Sequence, residues 1–122
     1  MKPLIQFFKL LSDETRLRIM MLLLQEKLCV CELQGLLDLS QPKVSKHLAK
    51  LRDVGVVEDE KIDKFVFYKL ANLEQDQKTI LDEILRHIES YPQLSNDQMK
   101  LTGKQAYLVS CVPAELKNIK GL

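Results

Sequence analysis

The spacing of apolar residues changes at Gly55, and this change limits the folds that are open to the chain. Before Gly55, apolar residues recur at every third or fourth position, as they do on one face of a helix. After it, residues 56–60 and 65–70 are rich in β-branched and aromatic side chains. Residues 61–64 separate these two runs, so the region predicts a two-stranded hairpin. Helical spacing returns over residues 74–91.

Turn and capping residues divide the first part of the chain into four predicted helices. The apolar spacing predicts helices over residues 3–11, 13–26 and 31–37. Ser40 is a typical N-cap, Pro42 is tolerated in a first helical turn, and Gly55 is a typical helix end, so these residues bound a fourth helix. The order predicts a mainly α fold with a small antiparallel β-hairpin, which is a winged helix-turn-helix.

The length of 122 residues allows one hydrophobic core, and no Gly/Ser-rich linker divides the chain. Pro92 is expected to end the helix over 74–91, whose single apolar stripe favours a dimer interface. We therefore assign residues 1–92 to a winged helix-turn-helix domain for DNA binding and dimerisation. Residues 93–122 form a C-terminal extension that carries Cys111.

The charge pattern points to a local nucleic-acid interface on the fourth helix. The net charge of +1 gives no global basic field, but residues 40–52 hold four Lys or Arg and no Asp or Glu. A second helix of a helix-turn-helix with this profile suits the major groove, whereas alone it could be a solvated face. The side chains expected at DNA are Gln41, Lys43, Ser45, Lys46, His47 and Lys50 on the helix, and Lys61 and Lys64 at the wing tip.

The wing is expected to contribute less than the helix. Glu58, Asp59 and Glu60 precede its tip and would repel phosphate. The tip also lacks a glycine, so the sequence leaves its turn type open.

Cys29 and Cys31 are candidate ligands for a soft ion, because thiolates bind such ions well. Residues two apart point in opposite directions on a helix but to one side of an extended segment. We therefore expect the pair at or before the start of the third helix, unless ion binding unwinds its first turn. A helix N-terminus should also lower the thiol pKa. The alternative is that both are small buried apolar residues.

Two thiolates are few for a tight site. Pyramidal As(III) or Sb(III) takes three, and zinc takes four ligands. Cys111 could complete the site, from the same chain or from a dimer partner, or it could be a structural cysteine in an apolar run.

Cysteine usage and the chain's N-terminal segment favour a reducing compartment. Three cysteines cannot form a closed disulfide framework, and residues 1–5 do not have the character of a signal peptide. The longest apolar run, over residues 19–24, is too short to span a bilayer. We expect a cytoplasmic protein with no membrane association.

Three segments together closely resemble the ArsR/SmtB family of metal-sensing repressors. They are Ser12-Asp13-Glu14-Thr15-Arg16-Leu17-Arg18-Ile19, Leu28-Cys29-Val30-Cys31-Glu32-Leu33, and the run from Leu39 to Arg52. The resemblance extends over about residues 4–90, and the cysteine pair is similar to that of the arsenic-sensing branch.

The resemblance implies a homodimeric repressor on double-stranded operator DNA of an arsenical-resistance operon. Such a repressor leaves DNA when As(III) or Sb(III) binds its cysteines, here Cys29 and Cys31 with Cys111, and it needs no organic cofactor. Some arsenic repressors carry a cysteine where this chain has Gln34. The ligand set therefore uses Cys111, is incomplete, or suits a two-thiol ligand such as a monomethylated arsenical.

Other functions stay open from the sequence alone. Cadmium and lead sensors add N-terminal cysteines that this chain lacks, and zinc sensors place Asp and His ligands on the last helix, where this chain has His87 alone among histidines. A thiol-oxidation sensor would pair a cysteine with Cys111. A thiol enzyme is disfavoured because there is no phosphate-binding glycine loop and no Cys-x-x-Cys motif. A winged-helix interaction module that does not bind DNA is the remaining alternative.

Overall fold

The computed structural model describes residues 1–103, and it confirms the winged helix-turn-helix. Cys111 lies outside the described residues. The elements are α1 Lys2–Leu11, α2 Glu14–Gln25, β1 Leu28–Cys29, α3 Val30–Leu37, α4 Gln41–Val54, β2 Val57–Ile62, β3 Phe65–Leu70, α5 Gln75–Arg86 and α6 Pro92–Lys100. Short 3₁₀ turns follow α5, at Ile88–Ser90, and α6, at Leu101–Gly103.

The expected capping residues set the helix boundaries. Asp13 caps α2 by accepting a hydrogen bond from the Arg16 backbone N–H at 3.0 Å. Gly55 ends α4 with φ +92°, a left-handed conformation that glycine adopts without a Cβ clash. Asp38 ends α3 in the same region, with φ +56°. The α3–α4 connection is therefore a tight turn of Asp38, Leu39 and Ser40.

The sheet has a third strand that the sequence did not predict. β1 pairs antiparallel with β3, and β3 pairs with β2 in the wing, giving the order β1-β3-β2. Leu28 lies opposite Tyr68, and Cys29 lies opposite Phe67. Two residues are too few to show the alternation that marks a strand. The pairing fixes Cys29 against the base of the wing.

The single helix predicted over residues 74–91 is wrong in its second half. α5 ends at Arg86, a 3₁₀ turn follows, and Pro92 begins α6 instead of ending a helix. Proline fits the first helical turn because its missing N–H would have no partner there. α6 packs on α2 and buries Leu94 and Asp97. The division of the chain at residue 92 stays a prediction.

α2 lies at the centre of the core, as its nearly continuous apolar surface predicted. Five consecutive residues of this helix, Ile19 to Leu23, are buried. The other helices and the base of the wing pack around it. Within residues 1–103, no helix has the length and apolar character needed to cross a membrane.

Candidate functional site

α4 presents a basic face to solvent and an apolar face to the core. Val44, Leu48 and Leu51 are fully buried and fix the helix on α2 and α3. Four of the residues predicted at DNA are exposed: Gln41, Lys43, Lys46 and Lys50. Ser45 is partly buried, and its hydroxyl accepts a hydrogen bond from Gln41 Nε2 at 2.8 Å.

The side chain of His47 is turned away from this basic face and is largely buried, and its contact with DNA stays a prediction. It is three residues after Val44 and four before Leu51, so helical spacing turns it toward the buried side. Its side chain is 15% exposed, with Nδ1 at 4.0 Å from Asp13 Oδ2. Burial lowers the pKa of His47 below its usual value, and the positive charges of Arg16, Lys46 and Lys43 lower it further, against the opposing effect of Asp13.

The wing tip exposes Lys61 and Lys64, as predicted. The acidic residues before the tip are each paired with a cation, and their expected repulsion of phosphate stays a prediction. The three pairs are Lys69 Nζ with Glu58 Oε1 at 3.3 Å, Arg52 Nη1 with Asp59 Oδ2 at 3.3 Å, and Lys27 Nζ with Glu60 Oε1 at 3.6 Å. These pairs offset part of the negative charge beside the two exposed tip lysines.

Cys29 is at the junction of β1 and α3, where the sequence placed it. It is the N-cap of α3, with extended backbone (φ −88°, ψ 167°), and its side chain is 1% exposed. Its backbone N–H donates to Glu32 Oε1 at 3.0 Å, while the backbone N–H of Glu32 is directed at the Cys29 sulfur. The two residues form a capping box in which a thiol takes the usual place of a hydroxyl.

The thiol of Cys29 does not have the lowered pKa that we expected from its position at a helix N-terminus. The pKa of Cys29 is raised to about 11, mainly by burial. The neighbouring Glu32 carboxylate also raises it, whereas the backbone N–H groups of Glu32 and Cys31 act in the opposite direction. Desolvation of a thiolate at a 1% exposed position outweighs the favourable helix end. Cys29 is therefore protonated at neutral pH.

Cys31 lies inside the first turn of α3, not before it. Helix α3 begins at Val30, so only Cys29 of the pair is in extended backbone. Cys29 is a free thiol and Cys31 is disulfide-bonded in this structure. Within residues 1–103, no group of three or more Cys, His, Asp or Glu side chains is arranged to hold a metal ion. The predicted third ligand, Cys111, lies outside this range.

Glu32 is a residue of the site that our sequence analysis missed. Its side chain is 2% exposed, although a carboxylate is seldom buried without partners. The signal was present in the sequence, because an N-cap residue followed by glutamate three positions later is the capping-box pattern. The capping-box pattern was not recognised because its first position holds a cysteine instead of the usual serine or threonine.

The cysteine end of α3 is two helical turns from the recognition helix α4. The backbone N–H groups of Asp38 and Leu39 both bond the carbonyl of Gln34, which closes the end of α3. α4 then starts at Gln41, and α3 packs directly on it. The first turn of α3 and the start of α4 are thus joined by a short, hydrogen-bonded connection. The fold and this basic helix define a winged-helix DNA-binding regulator.

Comparison with known proteins agrees with this class. A family described as "Bacterial regulatory protein, arsR family" matches residues 13–59. The arsenical resistance operon repressor of Escherichia coli K12 is 54% identical over 68 residues, which are 55% of this chain and 58% of that protein. The chain thus spans a little over half the length of this relative.

Solved structures extend the match over more of the chain. HlyU from Vibrio cholerae N16961 superposes with a TM-score of 0.64 at 35% identity, covering 70% of this chain and 90% of that one. The AntR antimony-specific transcriptional repressor gives a TM-score of 0.61 at 25% identity, covering 74% and 80%. The chain belongs to the ArsR family of bacterial transcriptional regulators.

Proposed function

We propose that this protein is a homodimeric repressor of an arsenical-resistance operon that leaves its operator when As(III) or Sb(III) binds cysteine thiolates. The 54% identity to an arsenical resistance operon repressor and the likeness to an antimony-specific repressor support a metalloid inducer. The proposed ligands are Cys29 and Cys31, with Cys111 as the third.

One observation carries the proposal: the buried thiol of Cys29 is the N-cap of the helix that precedes α4. As(III) or Sb(III) arrives as a neutral hydroxide. Each metalloid–sulfur bond that forms breaks one metalloid–hydroxide bond, and the hydroxide leaves with the thiol proton as water. The sulfur lone pair used in this bond is no longer available as a hydrogen-bond acceptor. The backbone N–H of Glu32 then loses its acceptor. Because Cys29 is extended and Cys31 is helical, both can reach one ion only if the first turn of α3 changes conformation.

This conformational change supplies the link to DNA. α3 has eight residues, so displacing its first turn removes about half of the helix. A ligand shifts an equilibrium only through its differential affinity for two states, and couplings of about 1–3 kcal/mol are typical. Moving α4 in both subunits by this route would take the two recognition helices out of register with adjacent major grooves.

We propose that α1 and α5 form the dimer interface. α1 exposes Ile5 and Phe8, and Met1 just before it is also exposed; Phe8 is 48% exposed. Ile84 and Leu85 on α5 are only partly buried. Large apolar side chains on two helices are expected to be covered by a second copy, since a two-fold axis is needed for paired half-sites. Phe8→Glu should give a monomer by light scattering, whereas Lys64→Glu at the exposed wing tip, away from α1 and α5, should not.

The function is tested by release of DNA on titration with arsenite, antimonite, methylarsenite, cadmium and zinc under reducing, thiol-free conditions. The DNA is a duplex that the wild-type protein selects from a random library, and binding is followed by fluorescence anisotropy. Arsenite or antimonite should release wild-type protein at lower concentration than cadmium or zinc. Cys29→Ser and Cys31→Ser should abolish release while leaving DNA affinity within about twofold, because neither side chain lies on the face of α4.

Cys111→Ser separates the three-thiol site from the two-thiol site. If Cys111 is a ligand, the variant should need more arsenite for release but respond normally to methylarsenite, which uses two thiols. Release of Cys29→Ser by arsenite at the wild-type concentration would show that the inducer site is elsewhere. Binding of no duplex by the wild-type protein would reject the repressor function and favour an interaction module.

A second candidate is regulation by thiol oxidation, which the disulfide state of Cys31 favours. In this case an oxidant such as peroxide, acting on the reduced protein, should release DNA without any metalloid. Cys31→Ser should be insensitive to peroxide, and Cys29→Ser should retain the response because the buried thiol is not needed. Release by arsenite under strictly reducing conditions, with no response to peroxide, would exclude this candidate.

A further inference from the structure

A basic cleft lies between the C-terminal end of α1 and the C-terminal part of α4, beside the proposed DNA-binding face. It encloses about 190 Å³ and is lined by Gln6, Lys9 and Leu10 of α1, Arg16 of α2, and Lys50 and Val54 of α4. Three of these six residues are cations and none is acidic. Lys9 and Arg16 were not among the residues that the sequence predicted at DNA.

Arg16 is held in a fixed position at this cleft by the end of α1. Its Nε donates to the carbonyl of Leu10 at 3.0 Å, and its Nη2 donates to the carbonyl of Lys9 at 3.2 Å. These bonds satisfy two of the carbonyls left open at the helix end. They also immobilise a guanidinium charge in advance of any ligand, which reduces the entropy cost of binding.

The two lysines of the cleft are available to a ligand. Lys9 and Lys50 are exposed, and neither forms an ion pair with a carboxylate of residues 1–103. Three positive charges around one small cavity attract an anion, although the Asp13 carboxylate offsets part of the charge of Arg16. The arginine–lysine combination is suited to phosphate oxygens.

The basic cleft is continuous with the exposed lysines of α4. Lys43, Lys46 and Lys50 follow one another at three- and four-residue spacing, so they lie on one stripe of the helix. Arg16, Lys46 and Lys43 all lower the pKa of His47, which places their charges around the same part of the surface. Asp13 is the acidic group nearest His47 in this region. Its carboxylate faces that histidine and the first turn of α2, and Asp13 is not part of the cleft lining.

We propose that the basic cleft binds a backbone phosphate of the DNA duplex, outside the base pairs that α4 contacts, through Lys9, Arg16 and Lys50. The proposal rests on the proposed function, in which α4 enters the major groove. Phosphate contacts of this kind fix the position of a recognition helix without reading sequence. The cleft therefore extends the DNA footprint from α4 to α1 and α2.

Lys9→Gln tests the cleft, because Arg16 also caps α1 and its loss could unfold the helix. The matched control is Lys2→Gln, an exposed lysine on the same helix that is not part of the cleft. Affinity is measured over a potassium chloride series for the selected duplex and for a scrambled one. Lys9→Gln should reduce the slope of log K against log salt by about 0.9 for each cleft engaged, equally for both duplexes. Lys2→Gln should leave it unchanged.

Neutral methylphosphonate linkages locate the contacted phosphate. Each linkage of the selected duplex is replaced in turn, and wild-type affinity should fall at one position per half-site that flanks the major-groove contacts. Lys9→Gln should be insensitive to that replacement and should lose affinity normally at the other sensitive positions. If Lys9 acts only through its long-range charge, Lys9→Gln should instead be less sensitive than wild type to methylphosphonate at every position. That result would overturn the assignment.

The remaining outcomes separate the cleft from the proposed function. If the wild-type protein binds DNA and Lys9→Gln keeps the full salt slope, the cleft proposal is wrong and the repressor function stands. If inorganic phosphate shifts the Lys9 side-chain resonance while the salt slope is unchanged in Lys9→Gln, the cleft is a site for free anions and the DNA proposal is also wrong. If the wild-type protein binds no duplex, both proposals fall.

Discussion

Arg18 on α2 donates two hydrogen bonds to the carboxylate of Asp97 on α6, from Nε to Oδ2 at 2.8 Å and from Nη2 to Oδ1 at 2.9 Å. The same Nη2 lies 3.4 Å from the carbonyl of Leu37 at the end of α3. The Asp97 side chain is 2% exposed, and that of Arg18 is 12% exposed. This buried ion pair joins α6 to the helix-turn-helix at the point where the chain turns toward α4.

Removing the Asp97 carboxylate should be strongly destabilising. Asp97→Ala leaves the Arg18 guanidinium buried without its partner, and losses of about 3–5 kcal/mol in the free energy of unfolding are typical of this change. Urea denaturation measures it, with Asn96→Ala, an exposed neighbour on α6, as the control. The control should stay within about 0.5 kcal/mol of wild type. Equal stability of the two variants would mean that the Arg18–Asp97 ion pair contributes nothing to the free energy of unfolding.

The raised pKa of Cys29 should make the protein less stable in alkali. The folded thiol titrates near pH 11, above the ordinary value of 9.0, so the unfolded chain loses this proton first. Its contribution is therefore constant below about pH 9 and is lost as the pH rises from 9 to 11, by up to about 2–3 kcal/mol at 1.36 kcal/mol per pKa unit.

The comparison that isolates this effect is wild type against Cys29→Ser, because lysines and other cysteines titrate in both proteins. The difference in free energy of unfolding between the two should narrow as the pH rises through this window. If the free energies of unfolding of the two proteins stay a constant amount apart from pH 8 upward, the Cys29 thiol titrates normally in the folded state.

The wing turn depends on Asp63, which has φ +55° where many hairpins use glycine. A β-branched residue fits this conformation poorly, so Asp63→Val should lower the free energy of unfolding by about 1–2 kcal/mol. Asp63→Gly should be neutral or slightly stabilising, because glycine has no Cβ to clash. Thermal denaturation ranks the stabilities of these variants and the wild type. Lys64→Val provides a control at the adjacent turn position. A milder effect of valine at 63 than at 64 would contradict the strained turn.

The wing lysines should contribute to DNA affinity without contributing to sequence preference. Lys61→Gln combined with Lys64→Gln should reduce the salt slope by up to about 1.8 per wing and weaken selected and scrambled duplexes alike. Anisotropy titrations compare this variant with Lys2→Gln/Lys78→Gln, which removes two exposed lysines elsewhere. A loss confined to the selected duplex would indicate that the wing reads bases instead of contacting phosphate.

The four helices α1 to α4 and the two strands of the wing, β2 and β3, were predictable because local chemistry marks their ends, whereas the two-residue strand β1 was not. Asp13, Ser40, Pro42 and Gly55 define boundaries that the structure reproduces within one or two residues. The break in the last helix was not predictable, because residues 84–91 continue an apolar spacing that fits one helix as well as two. Packing of α6 on α2, and the pairing of Asp97 with Arg18, decide that the chain turns there.

The candidate site was predicted in position but not in its chemistry. The sequence placed Cys29 at the foot of α3 and the basic residues on α4, since both follow from local patterns. The inward position of His47 was missed, although its spacing from Val44 and Leu51 pointed to it. The raised pKa of the Cys29 thiol could not be foreseen, because it depends on β1, on Phe67 opposite, and on the buried Glu32.

By itself, the sequence determined which segments are helical, which form the wing, and which residues could bind a soft ion or a phosphate. Those properties depend on neighbours a few positions away. The tertiary structure decided which groups lie out of water and which charges meet: a protonated Cys29 thiol, an Arg18–Asp97 pair 79 residues apart, and a cleft shared by three helices. The physical reason is that desolvation and Coulomb energies depend on distance in space, which the chain sets only once it has packed.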